Sequence, residues 1–130
     1  MVNAVQPMNK PVRLSVPGIL IKAESLTLLI AVVGLYIHQS GNVWLFIALS
    51  LAPDLSALGY IKSVAFGSVT YNCVHNYVLP ALLLMLSLLW NNPLMAQIAL
   101  IWFAHIAGDR LLGFGLKYPT EFKDTHLGHI

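Results

Sequence analysis

Residues 97–116, QIALIWFAHIAGDRLLGFGL, form an apolar run that is interrupted by three ionisable side chains, His105, Asp109 and Arg110. Hydrocarbon penalises such groups, since a charged side chain at the bilayer centre costs about 2.5–3.5 kcal/mol on insertion scales. His105 and Asp109 are four residues apart, so a helix places them on one face, and Arg110 lies about 100° further round. The stretch therefore predicts a membrane-spanning helix that carries a polar site.

The composition of the whole chain also indicates a membrane protein. Of its 130 residues, 58% are hydrophobic and 9% are charged, whereas soluble domains contain about 25% charged residues. The mean hydropathy is +0.75. This length suits a single domain over residues 1–130. A net charge of +2 is too small to indicate nucleic-acid binding, and the single cysteine, Cys73, excludes an internal disulfide.

Short polar breaks divide the chain into four apolar segments, each close to the roughly 20 residues that a spanning helix needs. We therefore predict an all-α, polytopic membrane protein built as a four-helix transmembrane bundle. Pro53 interrupts the second segment, and Pro80 predicts a kink in the third. The predicted spans cover about 19–37, 43–60, 64–90 and 94–116, and a polar tail occupies 117–130.

The distribution of basic residues predicts the orientation. If the N-terminus is cytoplasmic, every lysine and arginine falls on the cytoplasmic side, and the turns 38–42 and 90–93 on the other side contain none. Four spans then bring the C-terminus back to the cytoplasm, and Trp44 and Trp90 lie at the opposite interface. The basic residues are Lys10, Arg13, Lys22, Lys62, Arg110, Lys117 and Lys123.

All four predicted helices bring ionisable groups to the same half of the bilayer. At 1.5 Å per residue these groups lie roughly 5 to 17 Å below the cytoplasmic face. Neighbouring carboxylates repel each other in lipid, and a divalent metal bound by carboxylates and imidazoles removes that repulsion. We predict one ion or two, zinc first, with manganese, iron or magnesium as alternatives. The predicted ligands are Glu24, Asp54, His75, His105 and Asp109.

Other polar residues are predicted to support this site. Asn72, His75 and Asn76 share one helix face, so either amide can orient a metal ligand. Arg110 is expected to reach the headgroups or to bind an anionic group of a substrate. The predicted substrate-binding residues are Arg110, Lys117 and Lys123, and Asp124 and His126 are predicted to cap the site or to add ligands.

Three functions are compatible with such a site. An intramembrane metallohydrolase would cleave a lipid or lipid-linked phosphate ester from the cytoplasmic leaflet, with Glu24 or Asp54 as general base. A transporter or channel would pass protons or metal ions along the same residues, and a homo-oligomer would complete the path through the apolar half. A b-type haem protein would hold its iron between His75 and His105, which three nearby carboxylates disfavour.

Three stretches carry a resemblance to a known family: APDLSALGY (52–60), YNCVHNYVLP (71–80) and IWFAHIAGDRLLGFGLKYPTEFKDTHLG (101–128). Over nearly its whole length the chain resembles a bacterial family of uncharacterised membrane proteins, domain of unknown function 4260. Residues 105–119 are also similar to the H-x-x-x-D segment of YdjM-type inner-membrane metal-dependent hydrolases. That likeness implies a multi-pass protein of the bacterial inner membrane in which His105 and Asp109, with His75, bind metal.

Overall fold

The computed structural model describes residues 15–129, and the regular secondary structure in this range is helical. Lys10 and Arg13, two of the basic residues used to predict the orientation, lie outside the described residues. The helices are α1 (Val16–His38), α2 (Val43–Leu49), a 3₁₀ helix (Ala52–Ile61), α3 (Val64–Val74), α4 (Val78–Leu89) and α5 (Pro93–Leu112), followed by a short 3₁₀ turn, His126–His129.

The predicted polar breaks contain the residues that begin the helices. Asn42, Ser63 and Asn92 each accept a backbone N–H bond with the side-chain oxygen, at the starts of α2, α3 and α5 respectively. Gly113 ends α5 with φ of 94°, a left-handed conformation that glycine adopts without steric cost. Local chemistry thus explains why the chain turns where it does.

Within residues 15–129, three helical stretches are long and apolar enough to cross a membrane: Val16–His38, Val43–Ile61 and Val64–Leu89. Their outward faces are apolar, with Ile30 65% exposed and Ile37 70% exposed, as expected for surfaces in contact with lipid. The fourth predicted span coincides with α5, which is 20 residues long and has its apolar character lowered by His105, Asp109 and Arg110. Four spans with cytoplasmic termini stay a prediction.

Helix α5 lies at the centre of the packing, against α1 and α4, while α3 packs against the 3₁₀ helix. Small residues allow this close approach, since Ala99 and Ala107 on α5 are completely buried. The apolar core joins Val32 and Tyr36 of α1 to Leu100, Ile101 and Ala104 of α5. The helix that carries the predicted His105–Asp109 pair is therefore the most enclosed one.

Pro53 and Pro80 are each preceded by a helix break a few residues earlier in the chain. A proline ring clashes with the carbonyl four residues earlier, which is Leu49 for Pro53 and Asn76 for Pro80. Accordingly α2 ends at Leu49, and the third stretch breaks at residues 75–77. The predicted kink is therefore displaced from Pro80 itself, which lies in the first turn of α4, where its missing N–H needs no partner. Both breaks adjoin predicted site residues.

The polar tail folds back onto the bundle. Its backbone forms an antiparallel bridge between Lys117 and Thr125, and the side chain of Asn72 holds Lys117 from both sides of the peptide. The Asn72 Nδ2 donates to the Lys117 carbonyl at 2.7 Å, and the Lys117 N–H donates to Asn72 Oδ1 at 2.6 Å. The tail is thereby anchored to α3 beside the predicted site.

Candidate metal centre

The structure brings four of the five predicted ligands together. Asp54 comes from the 3₁₀ helix, His75 directly follows α3, and His105 and Asp109 occupy successive turns of α5. Each offers one ligand atom, and these atoms all lie within 4.8 Å of one another. Within residues 15–129 this is the one group of three or more such side chains that can hold a metal ion.

The spacing of these four atoms fits a single small ion. The two Nε2 atoms of His75 and His105 are 3.1 Å apart. They lie 3.3 and 3.2 Å from Asp54 Oδ1, and 3.6 and 3.2 Å from Asp109 Oδ2. A tetrahedral ion with bonds of about 2.0–2.1 Å keeps its ligand atoms about 3.3–3.4 Å apart. The five distances given are close to this spacing, so a metal ion can be held between the four atoms.

Backbone carbonyls orient both imidazoles toward this centre. His105 Nδ1 donates to the carbonyl of Ser50 at 2.6 Å, and His75 Nδ1 donates to the carbonyl of Tyr71 at 3.0 Å. Because a carbonyl only accepts, the proton of each neutral ring is on Nδ1 and the Nε2 lone pair faces the cluster. Metal-binding histidines are commonly oriented by such a bond from the second ring nitrogen.

Without a cation this arrangement is unfavourable. When both rings are neutral, two imidazole lone pairs and two carboxylates face the same point, so four acceptors converge with no donor between them. The side chains of His75, His105 and Asp109 are 3%, 5% and 21% exposed, so water offers these three residues little compensation. A divalent ion would balance both carboxylate charges and would accept lone pairs from the cluster.

Two glycines bring the 3₁₀ helix and α3 into contact, which places Asp54 beside His75. A Cβ atom on Gly67 would overlap the ring of Tyr60, and one on Gly59 would overlap the hydroxyl of Thr70. That hydroxyl donates to the Ser56 carbonyl at 2.9 Å and so links the two helices. The sequence interpretation missed these residues, although small residues eight positions apart around a polar break signal such close packing.

The helix breaks supply free carbonyls that hold α5. Ser50, at the end of α2, receives the bond from His105, as described above. Val74 and His75, where α3 ends, receive bonds from Trp102 Nε1 at 2.7 Å and Arg110 Nη2 at 3.0 Å. Irregular backbone is tolerated at membrane depth where its polar groups find such partners. The breaks thus build the site rather than merely bend the helices.

Glu24 is not part of the cluster. It lines a separate cavity together with Tyr77, Arg110 and His126. The depth of a residue along a helix, which led to its prediction as a ligand, does not specify which way the side chain faces. Glu24 lies on the exposed side of α1, and the residues of α1 that join the apolar core with α5, Val32 and Tyr36, lie nearer the C-terminal end of this helix.

The predicted supporting residues have other contacts. Asn76 bonds its own helix end, through the Asn72 carbonyl and the Val78 N–H, and Asn72 holds the tail. Arg110 does not extend to the headgroups, because its side chain is directed inward to the His75 carbonyl and the residue is only 9% exposed. The hydrogen bonds described for the two amides therefore anchor the backbone and include no metal ligand.

The two basic residues of the tail, Lys117 and Lys123, differ sharply in solvent exposure. Lys117 is 7% exposed; its Nζ donates to the Phe122 carbonyl at 2.8 Å and lies 3.8 Å from the Phe122 ring centroid. Burial lowers the pKa of Lys117, and these contacts make it an anchor of the tail. Lys123 is exposed, and its contact with a phosphate stays a prediction.

Of the two predicted capping residues, Asp124 forms its hydrogen bonds within the tail, and His126 lines the same cavity as Glu24. Asp124 accepts hydrogen bonds from the Thr120 hydroxyl and from His129 Nε2, which together lower the pKa of Asp124. His126 Nδ1 accepts from the Leu116 N–H at 2.8 Å. Neither is in the four-residue group.

The cluster geometry disfavours a haem. The rings of His75 and His105 contact each other directly, with centroids 5.1 Å apart, so no porphyrin plane fits between them. The ring of Tyr71 also stacks on His75 with a centroid distance of 3.7 Å, which fixes the imidazole plane. A single ion, rather than a macrocycle, matches the available space.

Comparison with known proteins supports one assignment. A family model described as "Domain of unknown function (DUF4260)" matches residues 18–130. No curated protein and no solved structure matches the chain. Support for a function therefore comes from the site itself.

Proposed function

This chain belongs to the DUF4260 family, and we propose that it is an intramembrane metal-dependent hydrolase acting on a lipid or lipid-linked phosphate ester at the cytoplasmic leaflet. The observation that carries the proposal is the convergence of Asp54, His75, His105 and Asp109 on one point. Zinc is the proposed ion, because it accepts mixed nitrogen and carboxylate ligands in a tetrahedron. A divalent ion bound there would polarise a phosphoryl oxygen and lower the pKa of water.

The four ligands differ in exposure, which suggests separate roles. His75, His105 and Asp109 are the enclosed ones and are proposed to hold the ion. The Asp54 side chain is 49% exposed, so water and substrate can reach it. Asp54 is therefore proposed as the general base that takes a proton from the attacking water, a role that requires a carboxylate within hydrogen-bond reach.

An apolar cavity beside the cluster supports a lipid substrate. Its volume is ≈ 220 Å³, and it adjoins the cluster because Pro53 precedes Asp54 and Val74 precedes His75. A hydrocarbon chain fits this lining better than a polar group does. The cavity is lined by Leu49, Ala52, Pro53, Val74, Ile98, Ile101 and Trp102.

The test combines metal analysis with a turnover assay on the purified protein. We expect bound zinc, and release of phosphate or of a phosphorylated headgroup from phospholipid or prenyl-phosphate substrates. Asp54→Asn should lose turnover even when excess zinc keeps its weakened site loaded, and Asp124→Asn, in the tail, serves as control. Metal without turnover of any substrate would argue against hydrolysis, and metal or proton flux in proteoliposomes would then favour transport.

A further inference from the structure

A second polar cavity shares Arg110 with the surroundings of the metal cluster. Its volume is ≈ 380 Å³, within the range of about 300–1,000 Å³ that is usual for small-molecule sites. It contains none of the four metal ligands. The cavity is lined by Ile21, Glu24, Ser25, Leu28, Tyr77, Arg110 and His126.

Arg110 provides a buried cation in this cavity. The residue is 9% exposed, and one Nη2 donates to the His75 carbonyl. In the part of the chain that the structure describes, no carboxylate oxygen lies within 4.0 Å of the guanidinium. A guanidinium carries five N–H donors, so donors are left for a ligand that enters the cavity.

Glu24 and His126 complete the polar lining. Glu24 is exposed at the rim and carries the opposite charge. His126 Nδ1 accepts from the Leu116 N–H, so the proton of the neutral ring is on Nε2, which is then a donor. Burial and the nearby charge of Arg110 lower the pKa of His126. The ring therefore stays neutral near pH 7, and the cavity has one positive and one negative side chain.

We propose that this cavity binds a phosphoamine headgroup, with phosphate oxygens on Arg110 and His126 and the ammonium group on Glu24. Bare phosphate would leave a net negative charge in a partly enclosed site, which is costly. A dipolar group matches the opposite charges of Arg110 and Glu24 and satisfies both. Ethanolamine phosphate has this chemistry, either free or as the headgroup of a lipid.

The cavity adjoins the metal centre. A narrow crevice lined by Tyr71, His75, Asp109, Arg110 and Gly115 shares Arg110 with the cavity and two ligands with the cluster. Arg110 thus links the two sites, since it lines both the cavity and the crevice. The inference that this headgroup belongs to the substrate rests on the proposed function. The inference that the cavity binds the headgroup does not.

The experiment measures ligand affinity of the purified full chain by equilibrium dialysis. The soluble probes are O-phosphoethanolamine, inorganic phosphate and phosphocholine, and nanodiscs with phosphatidylethanolamine or phosphatidylglycerol test the lipid source. We expect O-phosphoethanolamine to bind at least about tenfold more tightly than inorganic phosphate, since a charge-assisted bond to Glu24 is added. Glu24→Gln should remove this preference, and phosphate should bind as tightly as before or more tightly, because a negative charge beside it is gone.

Two further variants show whether a change in affinity comes from the cavity. His126→Ala should weaken both O-phosphoethanolamine and phosphate, because a shared donor is lost, and Lys22→Ala, on an exposed neighbour of Glu24, should change neither. Equal affinity for the two probes, or a preference that survives Glu24→Gln, would overturn the proposal. Metal content is measured in parallel. Binding that persists in a protein without metal or turnover would refute the hydrolase proposal and leave the headgroup site intact.

Discussion

Two segments supply the cluster with carboxylates, and the rest of the molecule holds them very differently. α5, which carries Asp109, has eight buried residues. In α2 and the 3₁₀ helix, which leads to Asp54, the one buried residue is Pro53. The Asp109 side chain is accordingly 21% exposed and that of Asp54 49% exposed. The cluster therefore has an enclosed side and an accessible side.

This contrast suggests that the enclosed ligands hold the metal and that the accessible one takes part in the reaction. Ligands on α5 are fixed by helix packing against α1 and α4, and rigid support of this kind gives a metal site its geometry. Asp54 depends on the contact between the 3₁₀ helix and α3. A group that must meet substrate and water is better placed on the accessible side. We therefore expect substitutions in α5 to have the largest effects and substitutions farther from α5 to have smaller ones.

The largest effect is expected for His105→Ala. The variant loses one ligand and leaves the Ser50 carbonyl without its donor, so bound metal should fall from about one ion per chain to near zero. Elemental analysis of the purified variant measures this. His38→Ala, an exposed histidine in the turn after α1, is the matched control. Full metal content in His105→Ala would show that the cluster is not a metal site.

A smaller and unequal effect is expected for the two carboxylates. Asp54→Asn and Asp109→Asn each keep the side-chain shape and remove one negative charge. Charge interactions are stronger in the enclosed environment of Asp109 than at the exposed Asp54. We expect Asp54→Asn to weaken metal affinity by about 10- to 100-fold and Asp109→Asn by about tenfold more, as competition with a chelator would measure. The reverse order would mean that Asp54 is the principal charged ligand.

The contact that positions Asp54 can be tested at a distance from the metal. Gly67→Ala inserts a methyl group against the ring of Tyr60, which should push the 3₁₀ helix away from α3. Overpacking of this kind costs about 1–3 kcal/mol. We expect a lower melting temperature and metal affinity reduced less than in Asp54→Asn. Gly34→Ala, where an added Cβ meets nothing within 4 Å, is the control; equal behaviour of the two variants would exclude tight packing here.

The parts of the site that could be predicted were those governed by spacing along one helix. His105 and Asp109 are one turn apart, and any α-helix brings them to one face. The turns at Asn42, Ser63 and Asn92 were also readable, because their side chains cap the next helix. The predicted depth in the bilayer grouped Asp54 and His75 with His105 and Asp109, and the structure places all four in one cluster.

The remaining features depend on rotation and on three-dimensional partners. Glu24 has a suitable depth but faces another cavity, and depth contains no rotational information. Arg110 was expected at the headgroups, but the break at residues 75–77 leaves the His75 carbonyl free to bind it. That carbonyl becomes available through the effect of Pro80 on the backbone four residues earlier. The orienting carbonyls of Ser50 and Tyr71 belong to residues whose side chains give no sign of this role.

The smallest expected effect concerns pH and the tail. Burial and Arg110 lower the pKa of His126 below its ordinary value of 6.5 in the docked tail, so docking favours the neutral ring. The free tail then binds more protons, and this contribution to docking is complete above pH 6.5 and is lost as the pH falls through the lowered value. Hydrogen exchange should show reduced protection of the Leu116 amide, which donates to His126, over that window. In His126→Asn the protection should not change with pH; an unchanged pH dependence in that variant would assign it to another group.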